Sequence, residues 1–269
     1  MAVQTAKIKL ERLEVHATNS CNLSCQGCSH YTNILKGGTI TPEKLKQDLT
    51  PWSKYLDITN FAILGGEPLL NKKLPELLDI SRKILPQSNL SITTNALLIN
   101  NVEQEKLLNS LLKNKVLVRV SIHSVKKEYI SKIDPCIKTL KKWQALGLNL
   151  RIEDYVSDWS SRYIEGDLIE PYEDKNPQES WNICRSKFCT ILLDGYIHKC
   201  AAIAFLPLMK KEGRTSPKFD EYLKYKPIHH SDHEEDINSF FKKNERPESI
   251  CNMCPSKIVK VRNKSIGLS

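Results

Sequence analysis

Asn60-Phe61-Ala62-Ile63-Leu64-Gly65-Gly66-Glu67-Pro68 reads as a buried strand that stops in a double-glycine turn. Four consecutive apolar residues, bounded by a turn signal, suit a strand covered on both faces. Upstream, Thr41-Pro42-Glu43 has an N-cap residue followed by proline at the first helical position, so a helix is expected from there towards Tyr55. Before it, Leu13 to His16 reads as a strand. Downstream, a helix is expected over Leu74 to Leu85, ended by Pro86, and Leu90 to Thr94 is the next strand. The pattern continues with a helix over Val102 to Lys113, a β-branched strand over Val116 to Val120, and a helix over Lys126 to Leu146 with a break at Pro135 and Gly147 as C-cap. Leu148 to Val156 completes the series as a strand.

Strands and helices that alternate with short connections predict an α/β fold: a parallel sheet, curled or open, with helices on its outer face. Functional residues in such sheets lie at the carboxyl ends of the strands. After about Ser157 the periodicity fades, and the stretch to Trp181, with Pro171 and Pro177, reads as a connection. Beyond it, Cys189 to Leu193, Asp194-Gly195 and Tyr196 to Cys200 form a hairpin candidate. Lys210 to Glu248 is charged and weakly patterned except for a short helix near Ile237 to Phe241.

The 269 residues suffice for one large domain or a domain with a small appendage, and the composition, 40% hydrophobic and 26% charged, is that of a globular protein. No apolar run reaches the roughly 18–20 residues of a membrane span, and Met1 to Lys7 lacks the layout of a secretory signal. The expected location is the cytoplasm. A net charge of +9 favours anionic substrates or an acidic electron donor. Its lysines are scattered, with no basic block interleaved with aromatics, which argues against nucleic acid.

Nine cysteines require an explanation, since an odd number fits a disulfide framework poorly. Cys21-Asn22-Leu23-Ser24-Cys25-Gln26-Gly27-Cys28 puts three thiols on one tight loop with the spacing C-x3-C-x2-C. Three thiolates can hold three irons of a [4Fe–4S] cluster and leave the fourth open, and an open metal position is what catalysis needs. A zinc site completed by His16 or His30 is the alternative.

The spacing is that which defines the radical SAM superfamily, and Gly65-Gly66-Glu67-Pro68 resembles that family's GGEP motif. The resemblance implies a partial (β/α)6-type barrel in which Cys21, Cys25 and Cys28 hold a [4Fe–4S] cluster that binds S-adenosylmethionine (SAM). Gly65, Gly66 and Glu67 would then receive the ammonium of SAM. Ser91, Thr93, Thr94 and Asn95 resemble the ribose- and carboxylate-contacting region, and Ser121 and His123 would line the same cavity. The family often has an aromatic residue before the third cysteine. Here it is Gly27, with Tyr31 or His30 as substitutes.

Cys184, Gly195 and Cys200 followed by Cys251-x2-Cys254 resemble the twitch domain, the shorter relative of the SPASM extension. The resemblance implies an auxiliary [4Fe–4S] cluster on Cys184, Cys200, Cys251 and Cys254. Cys189 competes with Cys184 for a place in that set, and a zinc ribbon is the alternative use of the same cysteines. Cys136 stands alone as a small buried residue. The implied organisation is a barrel core over 1–156, a connection over 157–181 and an auxiliary-cluster domain over 182–269.

By the same resemblance, one electron from a low-potential donor such as flavodoxin or ferredoxin leads to cleavage of SAM. The resulting 5′-deoxyadenosyl radical takes hydrogen from a substrate C–H bond. A small molecule of sugar, aminocyclitol or nucleotide type, oxidised or epimerised, is the expected substrate. A peptide or protein side chain is the alternative, and a non-catalytic metal protein a second one. Glu153, Asp154, Tyr155 and His198 are candidates for proton transfer, and Cys189 for hydrogen donation.

Overall fold

The computed structural model describes residues 6–154, 159–261 and 266–268. Its elements begin with β1 (Ile8–Thr18), a short β2 (Leu23–Cys25) in the cysteine loop and α1 (Pro42–Tyr55). They continue through β3 (Leu56–Gly65), α2 (Leu74–Ile84), β4 (Asn89–Thr94), α3 (Gln104–Lys113), β5 (Leu117–Ile122), α4 (Lys127–Ala145) and β6 (Asn149–Asp154). The remainder holds α5 (Pro177–Asn182), β7 (Thr190–Leu193), β8 (Tyr196–His198), α6 (Ala201–Ala204), α7 (Leu206–Lys211), β9 (Ile228–His229), α8 (Glu234–Asn244) and β10 (Ile266–Leu268).

Local chemistry accounts for these boundaries. Thr41 caps α1, its hydroxyl accepting from the Lys44 amide at 3.1 Å. Gly147, with φ +104°, follows α4, where the amides of Gly147 and Leu148 close onto the carbonyls of Gln144 and Trp143. The break expected at Pro135 does not occur. One face of α4 buries Tyr129, Ile133, Cys136, Leu140 and Trp143, so packing on both sides of the proline holds the helix together. The short helix expected over Ile237 to Phe241 is the centre of the longer α8.

Eight strands form one sheet in the order β6-β5-β4-β3-β1-β7-β8-β9. The run from β6 to β7 is parallel, while β8 and β9 are antiparallel. The wholly parallel sheet expected from alternation is therefore a mixed one. The order β1, β3, β4, β5, β6 never reverses, so the helical crossovers stay on one face and the sheet resembles a partial radical SAM barrel. The late hairpin makes the difference: β7 pairs with β1 at Leu13↔Thr190 and Glu14↔Ile191. Its turn is Asp194-Gly195, both residues at positive φ (51° and 82°). Hence the segment beyond 181 continues the sheet of the first 156 residues.

Two hydrophobic clusters fill the molecule. The larger packs the helices on the sheet around Leu13, Trp52, Phe61 and Val120, and takes in Leu192, Ile197 and Phe241 from the late segment. The smaller gathers Tyr31, Tyr163, Phe205, Phe219 and Met253 under the later cysteines. Among the described residues no helix is long and apolar enough to cross a membrane.

Candidate active site

The carboxyl end of β1 runs into the first cysteine loop, and the carboxyl end of β3 runs into Gly65-Gly66. The two ends are tied together backbone to backbone: the Gly66 amide donates to Thr18 O at 2.8 Å and the Glu67 amide to Ser20 O at 2.9 Å. This contact explains the glycines. A Cβ on Gly66 would stand 1.9 Å from Ser20 O, and one on Gly65, at φ +137°, would stand 2.4 Å from Thr18 O.

A cavity of about 530 Å³ opens at this end of the sheet, and Cys21, Cys25 and Cys28 all line it. Gly65, Gly66, Thr93, Thr94, Asn95, Ser121 and His123 form much of the remaining wall, as the strand-end reading expected. Burial pushes the Cys21 thiol up to about 12 and the Cys25 thiol higher still. His123 Nδ1 lies 3.9 Å from Cys25 Sγ, and burial lowers its pKa to about 4.

Glu67 and Ser91 are not among the lining residues. Ser91 sits two positions before Thr93 on the same face of β4, below the cavity. Glu67 is fully buried. Its Oε1 accepts from the Leu69 amide (3.0 Å) and the Thr94 hydroxyl (2.6 Å), and its Oε2 from the Asn95 amide (2.8 Å). Burial raises its pKa to about 7 against those three hydrogen bonds. Asn95 in turn donates to Asn22 Oδ1 at 2.7 Å, so the carboxylate braces the first cysteine loop through the end of β4.

Gly27 stands at φ +66°, and its amide donates to Glu165 Oε1 at 2.6 Å. Of its two substitutes, His30 lines the cavity and Tyr31 does not. Tyr31 is buried in the second cluster, its hydroxyl on Ala202 O. An aromatic wall comes instead from Trp159, which stands edge-on to His123 and donates to Gln26 O at 2.7 Å. Arg12, Glu14, Arg119, Arg185, Phe188 and Cys189 also line the cavity. The sequence carried a signal for three of these: Arg12 and Glu14 alternate along one face of β1, and Arg119 interrupts the apolar β5. Arg12 donates to Glu14 at 2.5 Å, and Arg119 to Glu153 at 2.8 Å. Of the proton-transfer candidates, Glu153 is thus held by Arg119 and by Arg151. His198 lies on β8 away from the cavity. Asp154 contributes backbone to β6, and Tyr155 lies outside the described residues.

The later cysteines separate cleanly. Cys184, Cys200, Cys251 and Cys254 line a second, much smaller cavity of about 30 Å³ together with Trp181, Ile203, Ile250 and Met253. Cys189 belongs to the first cavity, its thiol pushed up by burial and by Glu14. Ser186 lines both. Cys136 is buried on α4. All nine cysteines are free thiols.

Among the described residues no three His, Cys, Asp or Glu side chains converge as they would around a single metal ion. His16, the other half of the zinc alternative, is engaged elsewhere, with Nδ1 on Asn19 and Nε2 on His30 at 2.7 Å. Three thiols lining an open cavity suit a cluster with a free iron. Four thiols around one small pocket have the donor chemistry of a fully ligated one.

The Radical SAM superfamily model matches residues 15–149. GTP 3′,8-cyclase from Aquifex aeolicus is 30% identical over 129 residues, 46% of this chain and 38% of that protein, so the match spans well under half of that relative's length. Two solved structures are similar. BtrN in complex with AdoMet and 2-DOIA aligns with a TM-score of 0.52 at 17% identity, over 97% of this chain and 98% of its own. Streptococcus suis SuiB bound to the precursor peptide SuiA aligns with a TM-score of 0.44 at 21% identity, over 53% and 32%. With the end of β1, β2 to β5 and the cysteine and glycine turns inside the matched residues, this chain belongs to the radical SAM superfamily, and it is an enzyme that binds SAM and carries that family's iron–sulfur cluster.

Proposed function

We propose that Cys21, Cys25 and Cys28 hold the radical SAM cluster and that the enzyme removes a hydrogen atom from a substrate C–H bond in the 530 Å³ cavity. The observation that carries this reading is the convergence of all three thiols, Gly65-Gly66 and the polar ends of β4 and β5 on that one cavity. Cluster and SAM, when bound and supplied with an electron by a flavodoxin or ferredoxin, provide the 5′-deoxyadenosyl radical.

The chain provides the seating. Gly65 and Gly66 expose backbone acceptors to an ammonium, and Glu67 Oε2, which has one partner, keeps spare accepting capacity nearby. Thr93, Thr94, Asn95 and Ser121 offer hydroxyl and amide groups for ribose and carboxylate, while Trp159 and His123 supply aromatic surface for adenine. Ser91 supports this wall from below. In the second pocket, Cys184, Cys200, Cys251 and Cys254 hold an auxiliary [4Fe–4S] cluster. That reading makes 1–156 a partial (β/α)6-type barrel, 157–181 its connection and 182–269 a twitch/SPASM-like region.

The substrate reading follows from volume. A site of about 530 Å³ is ordinary for one drug-sized ligand. A cluster and SAM take most of it, so the substrate presents one reactive group at the mouth, where Phe188 is half exposed. That geometry favours a peptide or protein side chain. A small polar molecule is the second reading, favoured by the Arg12–Glu14 pair and Arg119 in the wall.

The test is anaerobic reconstitution, then dithionite and SAM, with 5′-deoxyadenosine assayed by mass spectrometry and iron counted. About eight irons per chain and 5′-deoxyadenosine formation support both centres. About four irons with SAM cleavage retain only the first, and zinc without SAM cleavage defeats the proposal. Deuterium transfer into 5′-deoxyadenosine from labelled peptides or from labelled polyols separates the two substrate classes.

A further inference from the structure

The second pocket holds an unusual neighbour. Lys199, only 2% exposed, lines it together with Cys184, Cys200, Cys251 and Cys254. Its ammonium is held from several directions: it donates to the carbonyls of Asn244 and Arg246, each at 3.0 Å, pairs with Glu248 Oε1 at 2.7 Å, and lies 4.5 Å from the Trp181 ring centre. So many partners fix a full positive charge beside the four thiols.

Glu248 does not cancel that charge at the pocket. Its side chain is 24% exposed against 3% for Lys199, so water screens the anion more than the cation. Glu248 is not among the residues lining the pocket. A second cation, Arg162, is also buried, at 7% exposure.

Reduction adds negative charge to an iron–sulfur centre, and a nearby fixed cation favours it. We infer that Lys199 raises the reduction potential of the centre held by Cys184, Cys200, Cys251 and Cys254, making that centre easier to reduce than it would be without the ammonium. The inference rests on the proposed auxiliary cluster. Lys199 acts here as a tuning residue, through charge, without touching substrate.

The test is a potentiometric titration of the reconstituted full chain, followed by electron paramagnetic resonance. SAM addition identifies the first centre by perturbing its signal. In Lys199→Met the reduction equilibrium of the second centre should move at least tenfold against reduction, about 59 mV for one electron. Lys199→Arg should restore most of it. Glu248→Gln, which keeps the ammonium and removes its partner, should move the second centre a smaller distance the other way. That variant decides the matter if Lys199→Met fails to load iron. An unshifted second potential in Glu248→Gln, or in Lys199→Met at full iron content, overturns the role of Lys199. Only about four irons and one signal in the unaltered protein would remove the auxiliary cluster, and the inference with it.

Discussion

The two cysteine groups are built on opposite plans. The first has three thiols on a single loop at the carboxyl end of β1, facing a cavity of about 530 Å³ rimmed with hydroxyls, amides and charged pairs. The second draws four thiols from three separate stretches around about 30 Å³ of space, beside Trp181, Ile203, Ile250 and Met253. The first leaves room for a ligand beside its thiols, and the second leaves little space between them, the contrast expected between an open and a fully ligated site. The lesson is that cysteine count matters less than what shares the wall with the thiols.

The sharpest way to break this comparison is to remove one thiol from each site. Cys25→Ala should abolish 5′-deoxyadenosine formation and lower iron by about four per chain. Cys254→Ala should lose a similar amount of iron yet keep SAM cleavage, losing substrate turnover instead. If both variants behave alike, the division of labour between the sites is wrong. Next in size is Gly66→Ala. The added methyl meets Ser20 O at 1.9 Å, backbone that has nowhere to move, so a loss of more than about 3 kcal/mol in denaturant unfolding is expected, with iron lost from the first site.

Glu67 provides a pH test of the bracing at the first site. Its folded pKa, about 7, lies above the ordinary 4.5, so its contribution to stability is complete below pH 4.5 and is lost as pH rises through 7. The stability gap between the unaltered protein and Glu67→Gln should therefore change by on the order of 3 kcal/mol between pH 4 and 8. A gap that does not vary with pH would mean that the carboxyl titrates alike in the folded and unfolded chain. The smallest effect is expected for Trp159→Phe, which keeps a ring beside His123 but drops the hydrogen bond to Gln26 O. About 1 kcal/mol of stability and a several-fold rise in the KM for SAM are expected.

Much of the first site was legible because it is local. Short spacing fixes Cys21, Cys25 and Cys28 on one loop, and strand-end position brings Thr93 to Asn95 and Ser121 to the same opening. The helix and strand series was legible through period and capping, as Thr41 and Gly147 show. What escaped was non-local. The pairing of β7 with β1 depends on two residues of each strand meeting across more than half the chain, and nothing in either stretch announces it. Trp159 reaches the cavity from a segment without periodicity. Glu67 bears a motif reading that points at a cofactor, and folding gives it a second task that the motif does not announce, bracing Leu69, Thr94 and Asn95. Cys184 and Cys189 differ by five positions, and only folding sends them into different cavities.

The short β2 inside the first cysteine loop has its antiparallel partner in β10, with Cys25 opposite Ile266 and Leu23 opposite Leu268. During synthesis the loop thus waits for a strand about 240 residues further on, roughly 12–50 s at ribosomal rates of 5–20 residues per second. Through that interval the three thiols are on a nascent chain whose closing strand has not been made. The loop can therefore take its paired form only after residue 268 has been made, so the geometry of its three thiols is fixed late in synthesis.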